Sequence, residues 1–228
     1  WLHPQQTQAT IRVLQYMGYA VEPIWLKASP RLLISHGFLT EAKQVLADVI
    51  VEHGNLCDSA EAIVGIEPAE LLVWRDDGLV LLAGSEKARL NAWQSKCFVF
   101  EEAMLALKPR VDAWQWPAYA QPVAVQVHCH QRSLVGFAKT QQAFALIGVQ
   151  VASLSDGCCG MAGSFGYQHP ELSVKIAQKQ LLPRIAKLSE ATQIVASGSS
   201  CQQQMIDLAD KKGIHPALVF ADAFKLPV

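Results

Sequence analysis

The sequence lacks most of the features that announce a function. Its apolar runs, such as "LLVW" and "FVF", are far shorter than the roughly 20 residues that cross a bilayer. It has no basic tract: 19 Lys and Arg face 20 Asp and Glu, a net charge of −1, which argues against nucleic acid as a partner. There is no GxGxxG phosphate loop, no CxxCxxCxxxCP ferredoxin pattern, no FAD-binding region and no defensible pair of catalytic carboxylates. An N-terminal signal pattern is also missing. The chain opens on Trp1 rather than Met and runs straight into a helical pattern, so a C-terminal fragment of a longer protein is expected. Six cysteines in 228 residues are too sparse for a disulfide scaffold. They form no pair of CxxC knuckles, so the spacing is not that of a zinc ribbon.

What is present can bury a core. The chain is 51% hydrophobic, enough for one large domain or two small ones. "TQATIRVLQYMGYAV" places apolar residues at helical spacing and predicts a helix from about Gln5 to Met17. "LTEAKQVLADVIVEHG" predicts a second helix closed by Gly54, "EAIVGIEP" a short buried strand ending at Pro68, and "CFVFEEAMLAL" a further helix. Pro109, Pro117 and Pro122, with tryptophans near them, mark a seam, so residues 1–120 and 121–228 are expected as two halves. Beyond the seam strands and helices alternate. "PVAVQVH", "VQVASLS", "QIVASG" and a final "PALVF" read as strands; "SLVGFAKTQQAFALIG", "ELSVKIAQKQLLPRIAKL" and "SCQQQMIDLADKKG" read as helices. That rhythm implies an α/β fold with a parallel sheet and helices on its faces.

The cysteines are unevenly placed. Cys57 and Cys97 have no second cysteine close by and read as half-buried or surface thiols. Cys129 follows a strand in "VHCHQ", Cys158 and Cys159 follow one in "SDGCCGMAGSFGY", and Cys201 follows one in "SGSSC". Adjacent cysteines are awkward in a packed core, because successive side chains point apart. They suit a glycine-rich loop folded around something that both sulfurs touch. In an open α/β sheet the strand carboxyl ends line one edge, where ligands bind, so the four thiols are expected at one rim. Thiolates without a nearby carboxylate suit an iron–sulfur cluster or zinc; a redox disulfide or free thiols is the remaining reading. His128 and His130 flank Cys129 and could ligate metal or hydrogen-bond to a sulfur. Alternate strand positions face opposite sides, so at most one is expected to face the site. His36, His53, His169 and His215 read as caps or solvated side chains. Ser164 and Tyr167 read as loop residues that either touch the site or pack.

Together, "HCHQ", "DGCCGMAGSFGY" and "VASGSSC" resemble the second half of a cysteine-rich CCG domain, in order and in spacing. Such domains occur in the cysteine-rich component of heterodisulfide reductase, in iron–sulfur components of glycolate oxidase, lactate-utilisation enzymes and anaerobic glycerol-3-phosphate dehydrogenase, and in FAD-linked oxidases. The resemblance implies two pseudo-symmetric lobes, each a small, mostly parallel sheet flanked by helices, with a cysteine-lined site at the strand carboxyl ends. It implies Cys129, Cys158, Cys159 and Cys201 as ligands of a [4Fe-4S] cluster, cubane or non-cubane, with zinc as the alternative. "CCGMAGSFGY" is most similar to the C-terminal part of FAD-linked oxidases that act on D-2-hydroxy acids such as D-lactate or D-2-hydroxyglutarate. An electron-transfer domain of a longer oxidoreductase is therefore expected, with FAD in the missing part. FAD-binding and ferredoxin-like domains would be its partners, with a quinone or other electron acceptor. The expected location is cytoplasmic, peripheral at the membrane through the complex. The fragment alone is not expected to turn over. Two other readings stand beside this one: a zinc-stabilised or metal-free structural docking domain, and a thiol–disulfide reductase using Cys158 and Cys159.

The chain also departs from the family. Gly198 stands where some members carry a fifth cysteine. "RLLISHGFLTEAKQVL" and "VGIEPAELLVWRDD" resemble the family's first half, yet Ala28, Ser29 and Pro30 replace Cys-Cys-Gly and Glu70 replaces a cysteine. Residues 1–120 are accordingly expected to form a degenerate CCG-like half without cluster ligands. Side chains such as Trp25 or Arg31 should fill its pocket.

Overall fold

Ala9, Val13, Leu14 and Met17 recur at helical spacing and are all buried, which gives the first helix, α1 (Pro4–Tyr16), one apolar face. Gly18 closes it with φ of +91°, a left-handed turn open to glycine at little steric cost. The computed structural model describes residues 4–228. Two compact units emerge: the described residues up to Val21 with Phe100–Val228, and Glu22–Val99. Their borders differ from a single seam near residue 120.

The Glu22–Val99 unit runs α2 (Pro30–Ser35), α3 (Leu39–Ser59), β1 (Ile63–Gly65), α4 (Pro68–Arg75), α5 (Asp77–Leu81), α6 (Gly84–Trp93) and β2 (Cys97–Val99). β1 and β2 pair in parallel, Ile63 opposite Cys97 and Gly65 opposite Val99. Leu46, Leu72, Leu90 and Trp93 fill the core. Two sequence expectations change here. Gly54 does not end α3, which continues to Ser59. A Cβ at Gly54 would overlap the Arg89 guanidinium, which lies there bonded to Asp58 at 2.7 Å and Asn55 at 2.7 Å. The glycine is thus a packing site inside the helix rather than a stop. The segment from Cys97 also does not begin as a helix. Cys97 to Val99 alternate buried, half-buried and buried beside β1, and the helix starts only at Phe100. Cys57 and Cys97 are fully buried rather than at the surface.

The other unit continues with α7 (Phe100–Ala106), β3 (Val123–Gln126), α8 (Cys129–Leu134), α9 (Phe137–Ala145), β4 (Val151–Ser153), α10 (Phe165–Gln168), α11 (Pro170–Lys179), α12 (Leu181–Ile185), β5 (Gln193–Ala196), α13 (Ser199–Ala209) and α14 (Pro216–Ala223). Its three strands form a parallel sheet in the order β4-β3-β5. Val123 pairs with Val151 on one side and Gln193 on the other. Two expected helices are each split. Gly136, with φ of +86°, separates α8 from α9. Pro183 separates α11 from α12, because its ring would clash with the Lys179 carbonyl in a continuous helix.

The last expected strand is a helix. "PALVF" is apolar all round and buried except for half-buried Leu218, a pattern that periodicity alone does not distinguish from a core strand. Pro216 opens α14 at a position where no amide is needed, and the His215 side chain caps it by accepting from the Ala217 N–H at 3.1 Å. Strand character survives only at Ile214, bridged to Val195. Phe220 of α14 meets Phe100 and Phe144 edge-on at 5.4 and 5.6 Å. Trp114 and Trp116, from the proline-rich segment, pack against Tyr16, Phe220 and Phe224 in the same unit. Among the described residues no helix is long and apolar enough to cross a membrane.

Replacing His215 by Ala removes the cap acceptor and opens space beside Phe100. Urea unfolding should show a loss of about 1–2 kcal/mol, and His215→Asn, which keeps a capping acceptor, should recover most of it.

Candidate metal centre

The sheet order brings the cysteines together. β3 is central, so the chain steps to one side to form β4 and then crosses over to form β5. At such a reversal the connecting segments leave in opposite directions and open a crevice beyond the strand carboxyl ends. Cys129 starts α8 directly after β3, Cys158 and Cys159 lie in the loop after β4, and Cys201 sits in the first turn of α13 after β5.

The four thiols form one connected group. Cys158 is hydrogen-bonded to both Cys129 and Cys159, and Cys159 also to Cys201. The Gly160 N–H donates to the Cys158 sulfur at 3.3 Å. These bonds, with His128 nearby, hold the Cys158 thiol well below its ordinary value. Cys129 and Cys159 are pushed up, first by their bonds to Cys158, then by burial and by the neighbouring sulfurs. One negative charge is stabilised and further ones are resisted. Cys159 and Cys201 are buried, while Cys129 and Cys158 are half-buried.

Side chains from distant elements pin the Cys158–Cys159 loop. Arg132, three residues after Cys129, donates to Ser153 Oγ at 2.9 Å and to the Ser155 carbonyl at 2.6 Å. Arg184 donates to the Ser153 carbonyl and to Asp156, each at 3.1 Å. The Asp156 N–H donates to Gln180, and Gln126 donates to the Gly157 carbonyl. From α13, Gln204 donates to the Cys159 carbonyl at 3.1 Å and to Ser173 at 2.8 Å. Gly160 has φ of +103°, and a Cβ there would overlap the Ser173 carbonyl. Sequence reasoning missed these anchors. The available signal was a run of polar residues, "SCQQQ", in a helix whose Gln202 and Gln204 are buried.

The flanking histidines sit in a helix start rather than along a strand, so strand alternation does not govern them. His128 is the residue before α8. Its ring packs on Gly198, where a Cβ would come within 2.5 Å of Cδ2; imidazole occupies the space a side chain at 198 would need. His130 contributes through its backbone N–H, which bonds to Cys129. Of the remaining candidates, His36 closes α2 and contacts the Leu32 carbonyl at 2.9 Å. Tyr167 stands exposed at the surface, and the carbonyl of Ser164 accepts from the Gln168 N–H at the start of α10.

In the Glu22–Val99 unit, Ser29 and Glu70 also meet, after α2 and α4 bring their first turns together. Ser29 Oγ donates to Glu70 and accepts from the Leu32 N–H at 2.9 Å as the cap of α2. Burial pushes the Glu70 carboxyl up, with the Ser29 bond opposing. Arg31 does not fold inward but pairs with Asp77 at 2.9 Å. Trp25 is 52% exposed, so it does not fill this place either. A serine–carboxyl hydrogen bond occupies it.

Comparison with known proteins gives three relatives, each named D-2-hydroxyglutarate dehydrogenase. The one from Pseudomonas putida is 26% identical over 214 residues, covering 91% of this chain and 20% of the relative. That from Pantoea ananatis is 28% identical over 216 residues, 90% and 20%. That from Escherichia coli is 24% identical over 221 residues, 94% and 21%. The chain therefore spans about a fifth of the length of the curated relatives it matches. No family model matches the chain, and no solved structure matches it significantly.

Two outcomes test this geometry. Gly160→Ala should destabilise the protein by about 2 kcal/mol or more, from forced left-handed backbone and steric overlap, measured by urea unfolding. Metal binding by all four sulfurs must strip protons from at least Cys129 and Cys159, whose thiols are raised and so protonated at neutral pH. Zinc affinity should accordingly fall by about 100-fold or more for each pH unit of acidification, read by competition titration.

Proposed function

We propose that Cys129, Cys158, Cys159 and Cys201 hold a [4Fe-4S]-type cluster. The chain would then be the iron–sulfur, electron-transfer part of a longer flavin-dependent dehydrogenase acting on a D-2-hydroxy acid of the 2-hydroxyglutarate type. The observation that carries this reading is the connected group of four thiols from three strand ends. That donor set is all sulfur, which suits iron–sulfur clusters or zinc and disfavours hard cations. Three relatives named D-2-hydroxyglutarate dehydrogenase, each matched over at least 90% of this chain, support the enzyme class.

The residues around the sulfurs suit such a group. When bound, it supplies one-electron transfer chemistry. Cys159 and Cys201 sit in the protein interior and keep water from one side, while Cys129 and Cys158 leave an edge partly open. The amides of Gly160 and His130 donate to sulfur, which stabilises thiolate charge and sets electron affinity. Arg132 and Arg184 hold the loop and place positive charge near it. Flavin chemistry, and an electron acceptor such as a quinone, belong to the rest of the parent protein in this reading. Residues 1–120 serve as a degenerate half, with the Ser29–Glu70 bond where ligands are replaced, and act as scaffold or docking surface.

Anaerobically prepared protein should carry about four irons with matching sulfide. Ser in place of Cys129, Cys158, Cys159 or Cys201 should abolish retention. Cys57→Ser and Cys97→Ser should keep the iron and lower only stability, since both thiols are buried in the core of the Glu22–Val99 unit. One zinc per chain without sulfide would overturn the proposal in favour of a structural domain. Neither metal, with reversible Cys158–Cys159 oxidation, would favour thiol–disulfide chemistry.

A further inference from the structure

A buried polar chain in the Phe100–Val228 unit belongs to no helix or strand ladder and supplies no ligand. Ser197 Oγ donates to Gln131 Oε1 at 2.9 Å. The Gln131 amide donates in turn to Glu101 Oε1 at 3.0 Å, and Thr140 Oγ1 lies 3.5 Å from the same oxygen. All four side chains are buried, Glu101 at 1% and Gln131 at 0% exposure. The donors run one way, from Ser197 through Gln131 to Glu101. The Ser197 hydroxyl turns the Gln131 carbonyl toward itself, which turns the Gln131 NH2 toward Glu101.

The position of this chain is its main feature. The ladder between β3 and β5 stops at the Gln126–Ala196 pair. Beyond it, one strand leads to Cys129 and the other to Cys201. Ser197 is the next residue after β5, and Gln131 lies two residues after Cys129 in α8. Their side chains continue the pairing where the backbone no longer does. Glu101 anchors the far end from α7, which carries no cysteine ligand. The other Glu101 oxygen, Oε2, has no hydrogen-bond partner, and burial pushes the carboxyl up. A carboxyl so placed costs the core more than an apolar residue would. A buried carboxyl with one unpaired oxygen calls for a role beyond packing.

We propose that Glu101 is a positioning residue that, through Gln131 and Ser197, sets the separation of the loops bearing Cys129 and Cys201 and so fits the sulfurs to their metal centre. The metal half of this statement rests on the proposed function; the tie between the loops does not. Because Glu101 serves as an acceptor, Gln should replace it and Leu should not.

The test is thiol labelling in the full-length protein, stripped of metal. Iodoacetamide modification of Cys129 and Cys201 is followed by mass spectrometry, with buried Cys57 as the internal reference. Glu101→Leu and Ser197→Ala should speed labelling of Cys129 and Cys201 about fivefold or more relative to Cys57, with Glu101→Gln within about twofold of wild type. In iron-loaded protein the same variants should release iron to a chelator faster, again rescued by Glu101→Gln. Unchanged labelling, or equal acceleration at Cys57, would overturn the tie. If Glu101→Leu does not fold, Ser197→Ala decides, since it removes a single hydroxyl. Wild-type protein that takes up neither iron nor zinc would count against the metal reading, while the labelling ratio still judges the tie.

Discussion

Sulfurs gathered at one sheet edge repel one another as they ionise, and this repulsion is the constraint that the loops around Cys129, Cys158, Cys159 and Cys201 answer. Within the group the bonds that reach Cys158 push its thiol down, while Cys129 and Cys159 are pushed up by their bonds to it. A site of this kind survives only if its loops are held in place independently of the ligand. The parallel sheet does the first part by ending three strands at one edge. A parallel ladder stops where the strands stop, so the remaining order has to come from side chains.

Those side chains are chiefly arginines and glutamines reaching in from other elements. Arg132 links the helix of Cys129 to the Ser153–Ser155 backbone, and Gln204 links the helix of Cys201 to the Cys159 carbonyl. Each ligand loop is thus tied to another ligand loop. A typical intramolecular hydrogen bond contributes about 1 kcal/mol net, and bonds from charged groups contribute more. Several of them act together on one short loop. Gly160 completes the arrangement, because only a residue without Cβ passes so close to Ser173.

The Glu22–Val99 unit offers an internal comparison. There two helix starts also converge, but on Ser29 and Glu70, whose oxygens share a proton instead of competing for charge. A hydroxyl that donates to a carboxyl makes an attractive pair. No metal is then required to hold the two helix starts together.

The alternation of strands and helices from residue 123 to 209, and the placing of each of the four cysteines beyond a strand, are legible in the residues alone. Both are local: strand runs are short and apolar, helices are periodic, and glycines cluster in the one loop that must bend sharply. The sequence misled where one residue's role depends on a distant partner. Gly54 looked like a helix stop until Arg89 was seen to lie against it. "PALVF" looked like a strand because burial on all sides erases periodicity, and only the packing of Phe220 among Phe100 and Phe144 identifies a core helix. The Glu101–Gln131–Ser197 chain and the arginine anchors were not legible at all. Hydrogen bonds between side chains far apart in the chain leave no period or spacing in the sequence. Which polar residues turn inward, and which sulfurs receive hydrogen bonds, follow only from burial and from the direction of donors in space.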